Sequence, residues 1–501
     1  MSREIADITA RRALLSPDNL AMEELVGGQR VTYRGLEDRA ARAASLLADA
    51  GVRMGDRVAI LCRNRIEFFE ILFACAKLGA ILVPLNWRMP AAELRPLLAD
   101  CAPCLLLHGV EDAGVARELF QPGLAMVDLD GDYAGRRDAA SPHPGRGGWP
   151  ADDIWYLLYT SGTTGTPKAV IYTYAMAFVN YVNISQPIGL SGRDRTLNFL
   201  PLFHTAGINL HTLPTLMAGG QVLVLPGFDA DVMIGLLAEG RLDHFFGVPA
   251  VYLQLSQHPR FDQVDLSRLR HWGCGGAPLP DVLVRRYAER GARVCNGMGM
   301  TETGPTAFLG DPDHALEKIG SVGKPQIMVG VRIVDPLGRD VPPGQAGELL
   351  FGGLGVTPGY WRQPAANQAA FTEDGWLRSG DIARCDADGY YYIVGRLKEM
   401  FISGGENVYP AEVENVLTQH EAVLEAAVIG VPDPQWGEVG RAFVRLKPGH
   451  PAPQAEELAR FCRDRLAGFK VPRQFLMVPE FPRTAAGKVQ KHKLDRQQVI
   501  L

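Results

Sequence analysis

The sequence has no long apolar run, no large excess of one charge and no cysteine clusters, and each absence removes a class of function. Its 501 residues carry 51 Lys and Arg against 56 Asp and Glu, a formal net charge of −5. No basic patch with interleaved aromatics stands out, so nucleic acid is not an expected partner. No uninterrupted apolar stretch reaches the length of a bilayer span, so no transmembrane segment is expected. The opening Met1-Ser2-Arg3-Glu4-Ile5 lacks the apolar core of a signal peptide, and the closing Val499-Ile500-Leu501 is not a peroxisomal or lipidation signal. A cytoplasmic protein is the expectation. The 8 cysteines are scattered, and only Cys101 and Cys104 form a C-x-x-C. No second pair or spaced histidines follow to complete a metal site. Cys104 runs straight into Leu105-Leu106-Leu107, so both thiols are read as structural. Internal repeats and heptads are also missing.

What is present is the composition of a globular protein, 47% apolar and 21% charged, in a chain too long for one ordinary core. Thr32 is placed to cap a helix with apolar positions Leu36, Ala40, Ala43 and Leu47, ending before Gly51. Val58 to Cys62 reads as a buried strand, Ile66 to Leu78 as a helix stopped by Gly79, and Ile81 to Val83 as the next strand. This alternation implies βαβ units and a mostly parallel sheet. Gly135 to Asp153 reads as a surface connection, and Ile154 to Tyr159 as a central strand. From Asp335 the chain is richer in Gly and Pro, with short strands at Gly347 to Phe351, Trp376 to Arg378 and Tyr390 to Val394. After Gly395-Arg396-Leu397-Lys398, residues 399–501 suit a small separate domain. It should carry a helix around Pro410 to Gln419, a strand at Ala426 to Ile429 and a basic tail at Lys488 to Lys493.

The strongest local signal follows the Ile154 strand: Thr160-Ser161-Gly162-Thr163-Thr164-Gly165-Thr166-Pro167-Lys168. Glycines let backbone N–H groups approach a ligand and form an anion nest. Hydroxyls add donors, and the lysine adds a point charge. A polyphosphate needs this combination. It is not the Walker pattern, because only Thr163 and Thr164 separate Gly162 from Gly165 and Pro167 precedes the lysine.

Tyr159 to Lys168 resembles the phosphate-binding signature of the acyl-adenylate-forming superfamily. Further signatures of that superfamily follow in order along essentially the whole chain. They are Leu200-Pro201-Leu202-Phe203-His204, Gly275-Gly276-Ala277-Pro278, Asn296-Gly297-Met298-Gly299-Met300-Thr301-Glu302-Thr303, Ser379-Gly380-Asp381, Gly395-Arg396-Leu397-Lys398-Glu399 and Pro482-Arg483-Thr484-Ala485-Ala486-Gly487-Lys488. The resemblance implies an α/β fold. A large N-terminal domain of α/β layers with a β-rich subdomain (residues 1–394) would join a small mobile C-terminal α+β domain (399–501) through a hinge at 395–398.

The resemblance also implies residue roles. Lys488 would bridge the acid carboxylate and the α-phosphate, with Thr160, Glu302 and His204 as the other catalytic candidates. Glu302 and Thr160 would hold magnesium. Ser161, Gly162, Thr163, Thr164, Gly165 and Lys168 would take the phosphates of ATP. Gly275, Gly276, Ala277, Pro278, Asn296, Gly297, Met298, Gly299 and Thr301 would surround the adenine side and the α-phosphate. Asp381 would accept from the ribose hydroxyls, and Arg396 would reach ribose or phosphate. Lys398 would be the pivot, and Gly404 and Gly405 would line the passage for the coenzyme A arm. Met298 departs from the family, which stacks a tyrosine on adenine; a thioether offers no π-stacking.

The acid pocket is expected among Phe203, Ala206, Gly207, Leu210, Phe246, Met298 and Pro305. It has no fixed charge, and the small Ala206 and Gly207 suggest room for a bulky group. Phe203-His204-Thr205-Ala206-Gly207 contains no acid to hold an amino group, so amino acid substrates are disfavoured. The expected activity is ATP-dependent acyl-CoA synthesis from a hydrophobic acid, with magnesium and coenzyme A. A medium or long fatty acid is favoured, and an aryl acid of the hydroxycinnamate, feruloyl or benzoate type is the alternative. An acyl-AMP ligase loading a carrier protein and a non-catalytic nucleotide binder are the readings from other classes. Small molecules are the expected partners, and a homodimer is left open.

Overall fold

The computed structural model describes residues 4–160, 167–277, 279–483 and 489–496. It shows a large N-terminal domain built on layered sheets and a small C-terminal domain. Local signals act as expected where they are strong. The Tyr33–Asp49 helix starts at Thr32, whose side chain accepts from the Gly35 amide at 3.2 Å, and its Leu36, Ala40, Ala43 and Leu47 are buried. The Ile66–Leu78 helix ends at Gly79 in the left-handed conformation, φ 72°. That helix is apolar all round because it lies inside the largest core cluster.

Three sheets position the site. The first has six strands, and its interior members Ile81–Pro84, Arg57–Leu61 and Leu105–His108 run parallel. Ile154–Thr160 lies parallel to Ile81–Pro84 and folds back into the antiparallel Lys168–Thr173, with Thr160 opposite Lys168. Thr160 and Lys168, the two ends of the phosphate-loop sequence, therefore face each other across an antiparallel pair. The second sheet carries Arg195–Asn198 beside Gln221–Val224. The third sets His244–Gly247, His271–Cys274 and Val294–Met298 parallel, then adds Phe308–Leu309 antiparallel. The Asp243 amide bonds the Arg195 carbonyl at 2.9 Å, so the second and third sheets nearly continue each other.

The β-rich part is an antiparallel sheet of Gly330–Val334, Gly347–Gly352, Leu377–Cys385 and Tyr391–Arg396. The C-terminal domain packs the Pro410–Leu417 and Ala455–Arg463 helices on a sheet centred on Gly437–Leu446, around its own core of Val413, Leu417, Val428 and Val444.

One expectation fails. Gly135 to Asp153 is not merely a surface connection, because it holds the end of the Tyr133–Ala139 helix and the Gly148–Pro150 strand. Trp149 of that strand is wholly buried, 5.4 Å from Trp155 and 5.0 Å from Tyr174 between ring centroids. A single buried indole offsets the surrounding polar composition. Cys101 is buried, and burial pushes its thiol up to about 11, so it does not ionise near neutral pH.

Candidate active site

One group of predicted residues comes together at the hairpin, and a second pairs across the β-rich sheet. Lys168 opens its strand, and its Nζ lies 5.2 Å from the centre of the Tyr360 ring. The hydroxyl of the same tyrosine donates to Glu302 Oε1 at 3.0 Å. Burial and the neighbouring Glu302 carboxylate push the Tyr360 hydroxyl above its ordinary value, so it stays a donor. Tyr360 thus links the loop lysine to the candidate magnesium ligand, and the sequence reading missed it. It sits in Gly359-Tyr360-Trp361, which pairs with the hairpin through the Ile171 amide to the Gly359 carbonyl and the Trp361 amide to the Ala169 carbonyl. The only sequence signal was an aromatic pair in a Gly- and Pro-rich stretch. Thr301, Glu302 and Thr303 form a buried 3-10 turn, and the Glu302 carbonyl accepts from the Thr357 amide at 2.7 Å. Thr160 donates its hydroxyl to the Lys168 carbonyl at 3.3 Å.

The second pairing is Asp381 with Arg396. They are cross-strand partners, and the Arg396 Nε lies 2.6 Å from Asp381 Oδ1 while Asp381 is only 4% exposed. Arg396, the candidate to reach ribose or phosphate, is held here by the Asp381 carboxylate. Lys398 lies exposed in the turn that follows.

Four of the acid-side residues, Ala206, Gly207, Leu210 and Phe246, line a partly open cleft together with His211. Ala206–Leu210 is a π-helical turn, a form often found at functional sites. It is held from behind: the Gly207 carbonyl accepts from Asn198 Nδ2 at 2.8 Å and Thr212 Oγ1 at 2.9 Å. Gly207 does not make room for a substrate, contrary to the expectation. A Cβ there would stand 2.3 Å from the Pro201 carbonyl oxygen, so its smallness serves backbone packing.

Phe246 is seated over the neighbouring strand. A Cβ on Gly273 would come within 2.8 Å of its ring, and one on Gly275 within 2.9 Å. Phe203 turns away, edge-on to Trp87 at 6.1 Å, and is not part of the cleft wall. His204 is half-buried in the turn before Ala206, with its amide bonded to the Pro201 carbonyl. Pro305 lies against Gly299, where a Cβ would stand 2.0 Å from the Pro305 carbonyl oxygen.

On the adenine side, Gly275, Gly276 and Ala277 follow the His271–Cys274 strand, and Asn296, Gly297 and Met298 lie on the Val294–Met298 strand. Met298 packs against the cluster of Ala307, Phe308 and Phe351. Gly404 and Gly405, at φ 61° and 88°, form the two-residue turn joining Phe401–Ser403 to Glu406–Val408. Ser161, Gly162, Thr163, Thr164, Gly165, Pro278 and Lys488 lie outside the described residues. Among the described residues no helix is long and apolar enough to cross a membrane.

Comparison with known proteins matches this layout. The family described as AMP-binding enzyme covers residues 9–361, and the AMP-binding enzyme C-terminal domain covers 412–488. A feruloyl-CoA synthase of Amycolatopsis sp is 43% identical over 487 residues, 97% of each chain. A long-chain-fatty-acid–CoA ligase of Mycobacterium tuberculosis is 35% identical over 505 residues, covering 99% of this chain and 98% of that protein. Among solved structures, the o-succinylbenzoate CoA synthetase of Bacillus subtilis with its acyl-adenylate is 31% identical, with a TM-score of 0.89 and 99% of each chain covered. The same synthetase with ATP and a magnesium ion aligns with a TM-score of 0.88 at 31% identity, over 98% of this chain and 100% of that one. The chain belongs to the AMP-binding enzyme family and is an acid–thiol ligase of the AMP-forming, ATP-dependent type.

Proposed function

We propose that the acid is an aryl acid of the hydroxycinnamate type, which the enzyme joins to coenzyme A. The observation that carries this is the seating of Phe246 over Gly273 and Gly275, which turns one wall of the cleft into an aromatic face. An aromatic face suits a planar ring, by offset or edge contact as well as by area. The cleft wall of Phe246 and the buried His211 suits a ring better than the fatty acid favoured from sequence. The 43% identity to a feruloyl-CoA synthase, against 35% to a fatty-acid ligase, supports the same choice.

In the first step a carboxylate oxygen would attack the α-phosphorus of ATP, forming the mixed anhydride and expelling pyrophosphate. In the second, the coenzyme A thiol would attack the acyl carbon and expel AMP. Both steps bring anions together, so the residues' task is to supply positive charge and exclude water. Lys168 would hold phosphate from the hairpin, and Lys488 would meet the carboxylate and α-phosphate. Asp381, steadied by Arg396, would accept from ribose.

Magnesium takes oxygen ligands, few of them from protein, and the Glu302 carboxylate set by Tyr360 with the Thr160 hydroxyl suits that demand. When bound, the ion would offset the negative charge of the phosphates. Lys398 would be the pivot of the small domain, and Gly404 and Gly405 would flank the coenzyme A arm. A panel of acetate, octanoate, palmitate, benzoate and ferulate, read as AMP and acyl-CoA by mass, tests the assignment. Ferulate should give the highest kcat/KM, and a higher value for octanoate or palmitate would refute the aryl reading.

A further inference from the structure

Behind the aromatic wall lies a set of buried histidines that the adenylation chemistry does not use. His211 closes the cleft at the junction of the Ala206–Leu210 turn and the Thr212–Ala218 helix, and it is only 4% exposed. Its ring stands edge-on to Phe246 at 6.1 Å and to His244 at 6.3 Å. His271 follows, 6.4 Å from His244. His244 and Phe246 lie two apart on one strand and so share a face, and His271 is the register partner of His244.

The polar atoms of this trio are largely unmatched. His211 Nε2, His244 Nδ1 and both ring nitrogens of His271 are buried without a hydrogen-bond partner. Unpartnered buried polar groups are costly and rare, so four of them in contiguous rings at the end of a cleft call for a function.

The chemistry of the ligand can be read from these groups. The His244 Nε2 lies 3.0 Å from Asp194 Oδ2 and 3.1 Å from Arg270 Nη2, so that nitrogen is already partnered and Nδ1 is the one left over. Arg270 also reaches the Asp194 carboxylate, whose charge is therefore already matched. Burial lowers the basicity of all three imidazoles, that of His271 to about 3, so they are neutral at physiological pH. Neutral imidazoles both donate and accept, which suits a hydroxyl; a second carboxylate would need a counter-charge that is not there. Among the described residues no group of three or more His, Cys, Asp or Glu side chains is placed to hold a metal ion.

We propose that His211, backed by His244 and His271, forms a hydroxyl-recognition subsite that selects aryl acids bearing a ring hydroxyl at the end distant from the carboxylate. This rests on the aryl reading above and narrows it. The hydroxyl would complete hydrogen bonds that the apo protein leaves unmade, and an analogue lacking it would leave them unmade in the complex. Sites built for a hydroxyl reject the analogue without one far more strongly than apolar pockets reject an extra one.

The test compares para-hydroxycinnamate with cinnamate in the intact enzyme, alone and after His211→Leu. The wild type should favour the hydroxylated acid by at least about tenfold in kcat/KM, the effect of one hydrogen bond of ordinary strength. His211→Leu should bring the ratio below about twofold, because the apolar side chain keeps the wall but offers no hydrogen bond to the ring hydroxyl. Equal wild-type rates for the two acids would overturn the subsite but leave the aryl assignment standing, and this arm needs no variant to fold. An unchanged preference in a folded His211→Leu enzyme would also overturn it. Turnover of palmitate but of neither cinnamate would instead overturn the aryl reading, and the subsite with it.

Discussion

Replacing Gly273 by alanine should damage acid selection through one identifiable clash. The added methyl would stand 2.8 Å from Phe246 Cδ2, closer than carbon atoms tolerate, and 3.1 Å from His271 Cε1, a tight contact. The backbone there is the middle of a parallel strand and cannot retreat easily, so the Phe246 ring must tip off its seat. Overpacking of this kind costs about 1–3 kcal/mol. If the displaced ring narrows the cleft, the same energy appears in binding of the acid, a fall of about 5- to 160-fold in kcat/KM for ferulate. The KM for ATP should change little, since the clash lies on the acid side.

The assay is a double-mutant cycle with Phe246→Ala, following AMP release under saturating ATP and coenzyme A. Phe246→Ala removes the ring that the methyl would strike, so Gly273→Ala should cost less than about twofold in that background. An undiminished penalty in the Phe246→Ala background would refute the claim that Gly273 exists to seat the ring. Gly275 offers a contrast, because its Cβ would also lie 3.0 Å from the Gly297 carbonyl oxygen. Phe246→Ala should rescue Gly275→Ala poorly.

Other outcomes follow from the same geometry. Tyr360→Phe removes the donor to Glu302 at 3.0 Å and should lower kcat/KM for ATP by about tenfold, the value of one net hydrogen bond; an unchanged dependence on ATP and magnesium would exclude Tyr360 from positioning Glu302. Glu70 is fully buried and takes Arg137 at 2.8 Å, Tyr133 at 2.9 Å and Arg39 at 3.3 Å, so Glu70→Ala should destabilise the N-terminal domain by about 3–5 kcal/mol in denaturant unfolding. A loss below about 1 kcal/mol would mean that water reaches Arg137. Lys488→Ala should slow acyl-adenylate formation by about a hundredfold or more while sparing thioester formation from supplied acyl-adenylate. Lys398→Pro should do the reverse, and equal loss of both half-reactions in either variant would remove its assigned role.

The sequence disclosed most where a signal was local. The Thr32 cap, the Gly79 stop and the Ile66–Leu78 helix depend on neighbours within a few residues, and all three stand where periodicity and capping place them. The coenzyme-linked chemistry was legible through contiguous motifs. What stayed hidden depends on partners far apart in the chain. Tyr360 joins Lys168 and Glu302 across three segments, and Gly207 is small because Leu200 and Pro201 press on it. The trio of His211, His244 and His271 exists only because two strands are in register and the end of the Ala206–Leu210 turn brings His211 beside them. Phe203 and Phe246 look alike in sequence, yet one packs on Trp87 and the other lines the cleft. The proposed aryl preference could not be read from apolar residues alone, since those suit chains and rings equally.

The central claim is that an aryl carboxylate is activated through its adenylate, and a single competition experiment addresses it. Ferulate labelled with heavy oxygen in both carboxylate positions and unlabelled palmitate are supplied together at equal concentration with ATP, magnesium and coenzyme A. Products are then read by mass. Feruloyl-CoA as the main thioester, with one heavy oxygen transferred to AMP, is the predicted result. Palmitoyl-CoA as the main thioester, or feruloyl-CoA formed with unlabelled AMP, would contradict it.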